Sequence, residues 1–420
     1  MEKLIVEGGN SIYGRITISG AKNAALPILC ATILAEGEYY LTNVPNLKDI
    51  KTMLDMLDIL GISSKQVGNN VTVLNTENND LYTAPYELVK TMRASVLTLG
   101  PLLAMRKKAR VSLPGGCAIG ERPVDLHIKA LSQMGAEIDI RHGYIEAYCD
   151  RLKGTDIHFD LVTVTGTENI IMAAVTAEGV TTIKNAAMEP EVIDLVRFLK
   201  KMGADISGEG TSTIKIKGVK ELFPCEYSIM TDRIEAGTFL CALAAVGGEI
   251  VLEHSPVNQM GVVLDKLREI GVKIDITEEN RILARASGNP LSADISTQPY
   301  PGFPTDMQAQ FMACMTVARG ISVITENIFE NRFMHAAEMK RMGADITLKD
   351  RSAVVKGTKN LTGAHVMASD LRASAGLFIA AMLAKGESHI HRIYHLDRGY
   401  ENFDGKMAAL GVNVKRVDDD

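Results

Sequence analysis

One phrase recurs six times along the chain and restricts its architecture more than any other feature. It has the general form Leu/Met-x-x-x-Gly-Ala/Val-x-Ile/Val, closes an amphipathic helix and opens a strand; its glycines are Gly61, Gly135, Gly203, Gly271, Gly343 and Gly411. Successive copies lie 68 to 74 residues apart and average 70, so six units account for all 420 residues. About two dozen residues earlier in each unit an alanine-rich apolar stretch meets Gly37, Gly179, Gly248, Gly320 or Gly386 and then a short β-branched strand; the second copy carries Arg106-Lys107-Lys108 there instead. Glycine tolerates the left-handed backbone that commonly ends a helix. The pattern predicts six βαβα-type units, an α/β protein.

The two helices of a unit differ. Residues 48–60 place Ile50, Met53, Leu54, Leu57 and Leu60 on one stripe, with Lys51, Asp55 and Asp58 opposite, so one face meets water. The segments 23–35, 169–177, 235–246, 307–318 and 372–384 are apolar nearly all round and are expected to be buried on every side. Three buried helices, walled by amphipathic helices and sheets, would give each half its own core, which suits a length beyond the ~250–300 residues one core serves. The expected domains are 22–230 and 1–21 plus 231–420. Residues 1–21 are expected to complete the sixth unit, and Asn69 to Asp80 reads as hairpin turns.

Composition narrows the function. Hydrophobic residues at 46% and charged residues at 23% are ordinary for a globular protein. A net charge of −6 gives no global basic field for nucleic acid, so an anionic ligand would need a local cationic cluster. Aromatics at 5%, with no Trp, argue against a base-stacking surface. No apolar run reaches the ~18 residues of a membrane span, and no secretory signal opens the sequence. Six cysteines without a CxxC pair suggest reduced thiols and a cytoplasmic location. His389 and His391 alternate on a probable strand with no third ligand at useful spacing, so neither metal nor cofactor is expected. Phosphate-loop and dinucleotide motifs are missing.

Two places could carry chemistry. Each buried helix begins with polar residues, which alone read as N-caps. Four starts also carry Lys22, Arg93, Arg233 or Arg372, although helix dipoles favour anions there. A cation at that position suggests an anionic ligand shared by both. The second place is residues 114–127, where Gly115, Gly116 and Gly120 surround Cys117 and Arg122 follows, a setting for a reactive thiol despite Glu121. The other five cysteines lie in apolar segments and read as buried.

The segments SGAKNAALPIL (19–29), KTMRAS (90–95), PGGCAIGERPVDLH (114–127), FPTDMQAQF (303–311), NRFMH (331–335), DLRAS (370–374) and IYHLDRGYE (393–401) resemble the UDP-N-acetylglucosamine 1-carboxyvinyltransferases, the enolpyruvyl transferases that commit sugar to peptidoglycan, in family order from Met1 to about Val417. The resemblance implies a two-domain inside-out α/β barrel of six βαβαββ repeats. It implies transfer of the enolpyruvyl group of phosphoenolpyruvate to the 3-hydroxyl of UDP-N-acetylglucosamine, with release of phosphate. Catalytic positions would be Cys117 (acid, and carrier of a pyruvyl phosphothioketal), Asp306 (base), Lys22, Arg398 and Asp370. Phosphoenolpyruvate would meet Lys22, Asn23, Arg122, Arg332, Arg372 and Arg398, guanidinium forks suiting phosphate and carboxylate alike.

For the nucleotide sugar, the matching positions are Asn23, Arg93, Arg122, Pro123, Val124, Asp125, Leu126, Thr163, Thr165, Gly166, Asp306 and Ile328. Leu161 departs from the family, whose members carry Lys there. Cys117 is expected to be alkylated by the epoxide fosfomycin, with Cys117→Asp keeping turnover and Cys117→Ser losing most of it. Both domains are expected to act on one substrate and to close over it. A monomer or weak homo-oligomer is expected. Two other readings stand beside this one: a sister enzyme acting on shikimate 3-phosphate, and a repeat scaffold without chemistry.

Overall fold

The computed structural model describes residues 2–76, 80–89, 92–113 and 124–419. Cys117, Arg122 and Pro123 lie outside the described residues, as does the side chain of Arg93. The chain divides into two compact units, one of residues 20–113 and 124–230, the other of residues 2–19 and 231–419. Each has its own apolar core.

Six four-stranded sheets repeat one pattern. In the second repeat, the strand after the buried helix (Lys108–Ser112) pairs antiparallel with Tyr144–Tyr148, which pairs antiparallel with Glu137–Arg141. The fourth strand, Thr83–Ala84, lies parallel at the other edge and comes from the preceding repeat. The lending closes on itself within each unit. Glu226–Ser228, at the end of the third repeat, pairs parallel with Gly37–Thr42 of the first. Ile12–Thr17 pairs parallel with Gly248–Glu253 of the fourth.

This corrects one expectation. Strand Glu2–Glu7 does complete the sixth repeat, between Glu387–His391 and Asn413–Asp418. Ile12–Thr17, expected beside it, belongs to the fourth repeat's sheet, where it takes the edge position that Glu226–Ser228 takes in the first. Much of the Asn-rich stretch is also strand: Asn70–Asn75 pairs with Ile62–Val67 across a turn at Gly68 and Asn69.

The repeat glycines behave as their role requires. All six have positive φ, from 78° at Gly61 to 108° at Gly203. A Cβ at Gly135, Gly271, Gly343 or Gly411 would meet nothing, so the backbone conformation alone selects glycine. A left-handed non-glycine residue costs roughly 1–2 kcal/mol. In the exceptional second copy that cost is accepted: Lys107 ends helix Leu99–Arg106 at φ 59°. Its neighbour Arg106 donates to the Leu60 and Leu81 carbonyls.

The apolar helices form the centre of each unit. Arg233–Val246, Gln308–Met315 and Leu371–Leu383 pack on one another, as Lys22–Ala31, Leu99–Arg106 and Val164–Ala174 do with the 3-10 turns that adjoin them. Sheets lie outside them with one face wet, as in Thr213–Lys217, where Ile214 and Ile216 are buried and their neighbours exposed. Full burial of each such apolar side chain contributes about 1.5–3 kcal/mol. The starts of these helices carry the polar residues of interest.

Candidate active site

In the unit of residues 231–419 the site grows from three helix starts. Asp306 lies in the 3-10 turn Thr305–Met307 that leads into Gln308–Met315. Asp370 caps Leu371–Leu383, its Oδ1 accepting from the amides of Arg372 and Ala373, both at 2.9 Å. The cap fixes the first turn and therefore the origin of the Arg372 side chain. Asp232 caps Arg233–Val246 in the same way, through Ile234 at 2.7 Å and Glu235 at 3.1 Å.

Asp306 is held between two guanidiniums. Arg332 Nη2 donates to Oδ1 at 2.8 Å, while Arg372 Nε and Nη2 donate to Oδ2 at 3.1 and 3.0 Å. Arg332 is 4% exposed and Arg372 2%, so both charges are nearly desolvated. Burial favours loss of the Arg372 proton, but Tyr400, Asp306 and Asp232 outweigh it and raise the proton affinity of the guanidinium. Arg372 also sits 5.2 Å from the Tyr400 ring centroid, and its Nη1 makes no hydrogen bond of normal geometry to the described residues. A buried donor without a partner costs roughly 1–3 kcal/mol, so a cation held this way is suited to an incoming anion.

The layer beneath is polar. Gln310 Nε2 donates to the Asp306 carbonyl at 2.8 Å, to the Tyr400 hydroxyl at 3.0 Å and to Thr238 Oγ1 at 3.1 Å. His335, 1% exposed, is driven by burial to a pKa of about 4; Asp370 raises it and Arg332 lowers it. The ring is therefore neutral. Arg398 ends the 3-10 segment Ile393–Arg398, half-buried. Arg233, singled out with the other helix-start cations, lies 5.7 Å from the Tyr300 ring centroid.

In the other unit Lys22 opens helix Lys22–Ala31, whose N-cap, Ala21, offers no side-chain acceptor. Its Nζ lies 3.2 Å from Asp49 Oδ2, with both residues buried. Asp49 was hidden in the sequence, as the second residue of a helix with an evident wet face. Asn23 is exposed.

Two further helix starts meet in that unit. Thr163 caps Val164–Ala174, its Oγ1 accepting from Gly166 N at 3.2 Å, and a Cβ on residue 166 would approach Thr163 Cγ2 to 2.4 Å. Val124 is the N-cap of Asp125–Gln133; Asp125 is exposed and Leu126 half-buried. His127 joins the two: its Nε2 is 3.4 Å from Thr165 Oγ1, and Asn169 Nδ2 donates to its Nδ1 at 2.9 Å. Burial lowers the His127 pKa to about 4. The neutral ring accepts at Nδ1 and so presents N–H to Thr165. His127 and Asn169 were not singled out as site residues, although His127 ends the motif PGGCAIGERPVDLH. Leu161 and Val162, just ahead of the Thr163 cap, are 66% and 37% exposed. Of the remaining cysteines, Cys30, Cys149, Cys241 and Cys314 are buried and Cys225 is half-buried.

The chain is similar to known proteins over its whole length. The family EPSP synthase (3-phosphoshikimate 1-carboxyvinyltransferase) matches residues 6–407. A UDP-N-acetylglucosamine 1-carboxyvinyltransferase of Nitratidesulfovibrio vulgaris is 56% identical over 416 residues, 99% of either chain. One of Geobacter metallireducens is 54% identical over 417 residues, covering 99% of this chain and all of the relative. Among solved structures, the enolpyruvyl transferase NikO from Streptomyces tendae superposes with a TM-score of 0.89 at 22% identity, covering 99% of both chains. EPSP synthase from Acinetobacter baumannii superposes with 0.76 at 19% over the whole of both. Those two likenesses establish the fold, the two-domain α/β architecture of enolpyruvyl transferases. With more than half its residues shared along its length, the chain belongs to the UDP-N-acetylglucosamine 1-carboxyvinyltransferase family of enolpyruvyl transferases.

Proposed function

We propose that this chain transfers the enolpyruvyl group of phosphoenolpyruvate to the 3-hydroxyl of UDP-N-acetylglucosamine and releases phosphate, the first committed step of peptidoglycan synthesis. The observation that carries the reading is Asp306 bracketed by Arg332 and Arg372, a carboxylate and two buried guanidiniums in one site. The reaction needs that combination: a base for the attacking hydroxyl and cations for a highly charged anion.

In this reading Cys117 protonates C3 of phosphoenolpyruvate, which makes C2 electrophilic. The sugar hydroxyl attacks C2 and its proton passes to Asp306. The resulting ketal then loses a proton from C3 as the bond from C2 to the phosphate oxygen breaks, leaving the enol ether. Lys22, Arg122 and Arg398 hold the phosphate, and Arg332 and Arg372 the carboxylate. The burial of both guanidiniums against one carboxylate supports that last assignment. Asp370, as a helix cap, orients Arg372 and stands beside the ketal. Asn23 contacts the reacting hydroxyl.

The start of Val164–Ala174 supports a role in holding the diphosphate through Thr163, Thr165 and Gly166, since helix N-termini offer amide donors to anions. Arg93, Pro123, Val124, Asp125, Leu126 and Ile328 complete the nucleotide-sugar contacts. Among the described residues no helix is long and apolar enough to cross a membrane, and no group of three or more His, Cys, Asp or Glu could hold a metal ion. Phosphate release from phosphoenolpyruvate tests the proposal. It is expected on adding UDP-N-acetylglucosamine and not on adding shikimate 3-phosphate; the reverse result would assign the chain to the sister activity, and release with neither would defeat both.

A further inference from the structure

Glu326 is buried to 1% exposure and uses both carboxylate oxygens. Oε1 accepts from Thr297 Oγ1 at 2.9 Å, from Ile328 N at 2.9 Å and from Phe329 N at 3.1 Å. Oε2 accepts from Thr305 Oγ1 at 2.8 Å. Thr305 in turn accepts from Arg332 Nη1 at 2.8 Å, and the same guanidinium reaches Asp306 through Nη2. Phe329, whose amide Glu326 holds, places its ring 5.1 Å from the Arg332 guanidinium carbon. Arg332 is thus gripped from two sides, and both grips lead back to one carboxylate.

A threonine hydroxyl has one proton and two lone pairs. A carboxylate without a proton can only accept, so the Thr305 proton must point at Glu326 and a lone pair is left facing Arg332. We propose that Glu326 is a positioning residue for the transfer reaction. It sets the direction of the Thr305 hydroxyl and the turn of Ile328 and Phe329, and through them the plane of Arg332 against Asp306. This inference rests on the proposed function for its kinetic meaning, but its geometry does not. It links a nucleotide-sugar contact, Ile328, to the catalytic carboxylate, Asp306, by a chain of named hydrogen bonds.

The test uses Thr305→Val, Thr305→Ser, Glu326→Gln and the Thr305→Val/Glu326→Gln double variant of the full chain, in phosphate-release kinetics with both substrates. Thr305→Val removes the hydroxyl that joins Glu326 to Arg332 but leaves the Ile328 and Phe329 amides on Oε1, so it should lower kcat about tenfold to a hundredfold, with the KM for UDP-N-acetylglucosamine moved less than about threefold. Thr305→Ser should recover most of that loss. Glu326→Gln should lower kcat comparably: its amide oxygen can keep the donors now on Oε1, while its NH2 group faces Thr305 and turns that hydroxyl's proton toward Arg332. The double variant should be no slower than the worse single variant, since both changes break one relay.

Losses that multiply in the double variant, or an unchanged kcat in Thr305→Val, would overturn the inference. Should Glu326→Gln fail to fold, the Thr305→Val and Thr305→Ser pair decides alone. If the parent enzyme itself released no phosphate, the proposed function would fall. The crystal structure of Thr305→Val would then decide this inference: Arg332 displaced from Asp306 supports it, and Arg332 unmoved refutes it.

Discussion

The two units handle polarity in opposite ways. Around Asp306 the groups are ions: two arginines touch one carboxylate, and a second buried carboxylate, Glu326, steers one of them. Around Thr163 and His127 they are neutral, namely hydroxyls, an amide and an imidazole that burial keeps unprotonated. Glu168 on the same helix follows suit, its pKa raised well above the ordinary value by burial and by Glu191 and Glu189. Lys22 with Asp49 is the ionic exception. The difference suggests a division of labour. In the proposed reaction, fixed charges serve the reacting anion, whereas helix-start amides and neutral donors serve the diphosphate of the nucleotide sugar, which is recognised but takes no part in bond making.

The sharpest way to break this contrast is Arg372→Ala. Losing a preorganised donor aimed at the reacting anion costs about 2.7–4 kcal/mol of transition-state stabilisation, so turnover should fall ~100- to 1000-fold. A loss under tenfold would mean that Asp306 and Arg332 suffice. Arg398 is half-buried. Arg398→Ala should raise the KM for phosphoenolpyruvate about tenfold and leave that for UDP-N-acetylglucosamine within about twofold. Equal changes in both would remove its assignment to the phosphate.

A gentler test uses pH. His127 and His335, one in each unit, both have pKa values lowered by burial to about 4, against an ordinary 6.5. Between those values the unfolded chain binds protons that the native ring refuses, so stability falls as pH drops from 6.5 to about 4. His127→Gln should flatten that fall in calorimetric scans and leave the behaviour above pH 7 unchanged; an equally steep curve would show that His127 is not buried neutral. The smallest effect is expected at the neutral site. Leu161→Lys adds a charge at a 66% exposed position beside the Thr163 cap and should tighten UDP-N-acetylglucosamine less than about threefold, an advantage that salt erases.

The sequence disclosed what repeats and what alternates. Six glycines with positive φ, apolar helices at each unit's centre and polar residues at their starts were all legible, because backbone constraint and burial leave their mark on every copy. Partners chosen across distance were not. Nothing near Ile12 says that it pairs with Gly248 rather than with the sixth repeat. Glu326 reads as an ordinary acid after a strand, and only the fold brings Thr297, Thr305 and Ile328 to it. Asp49 was masked by its neighbours: Lys48 and Lys51 mark a wet face, yet the carboxylate points inward to Lys22. A period reports the size of a unit and is silent about which distant residue each unit meets.

The lending of edge strands has a consequence for how the chain is made. The unit that holds residues 20–113 and 124–230 closes its ring with strands that have all emerged from synthesis before residue 231, the last being Glu226–Ser228. The other unit cannot do so. Ile12–Thr17 must wait for Gly248–Glu253, and Glu2–Glu7 stays unpaired until Glu387–His391 and Asn413–Asp418, when the chain is nearly finished. Long-range pairings of this kind form slowly, and exposed strands are prone to aggregate meanwhile. A truncation that removes only Asn413–Asp418 would therefore strip one of the two partners from Glu2–Glu7 and leave that strand at the edge of its sheet, in the unit at whose helix starts Asp306 and Arg372 sit.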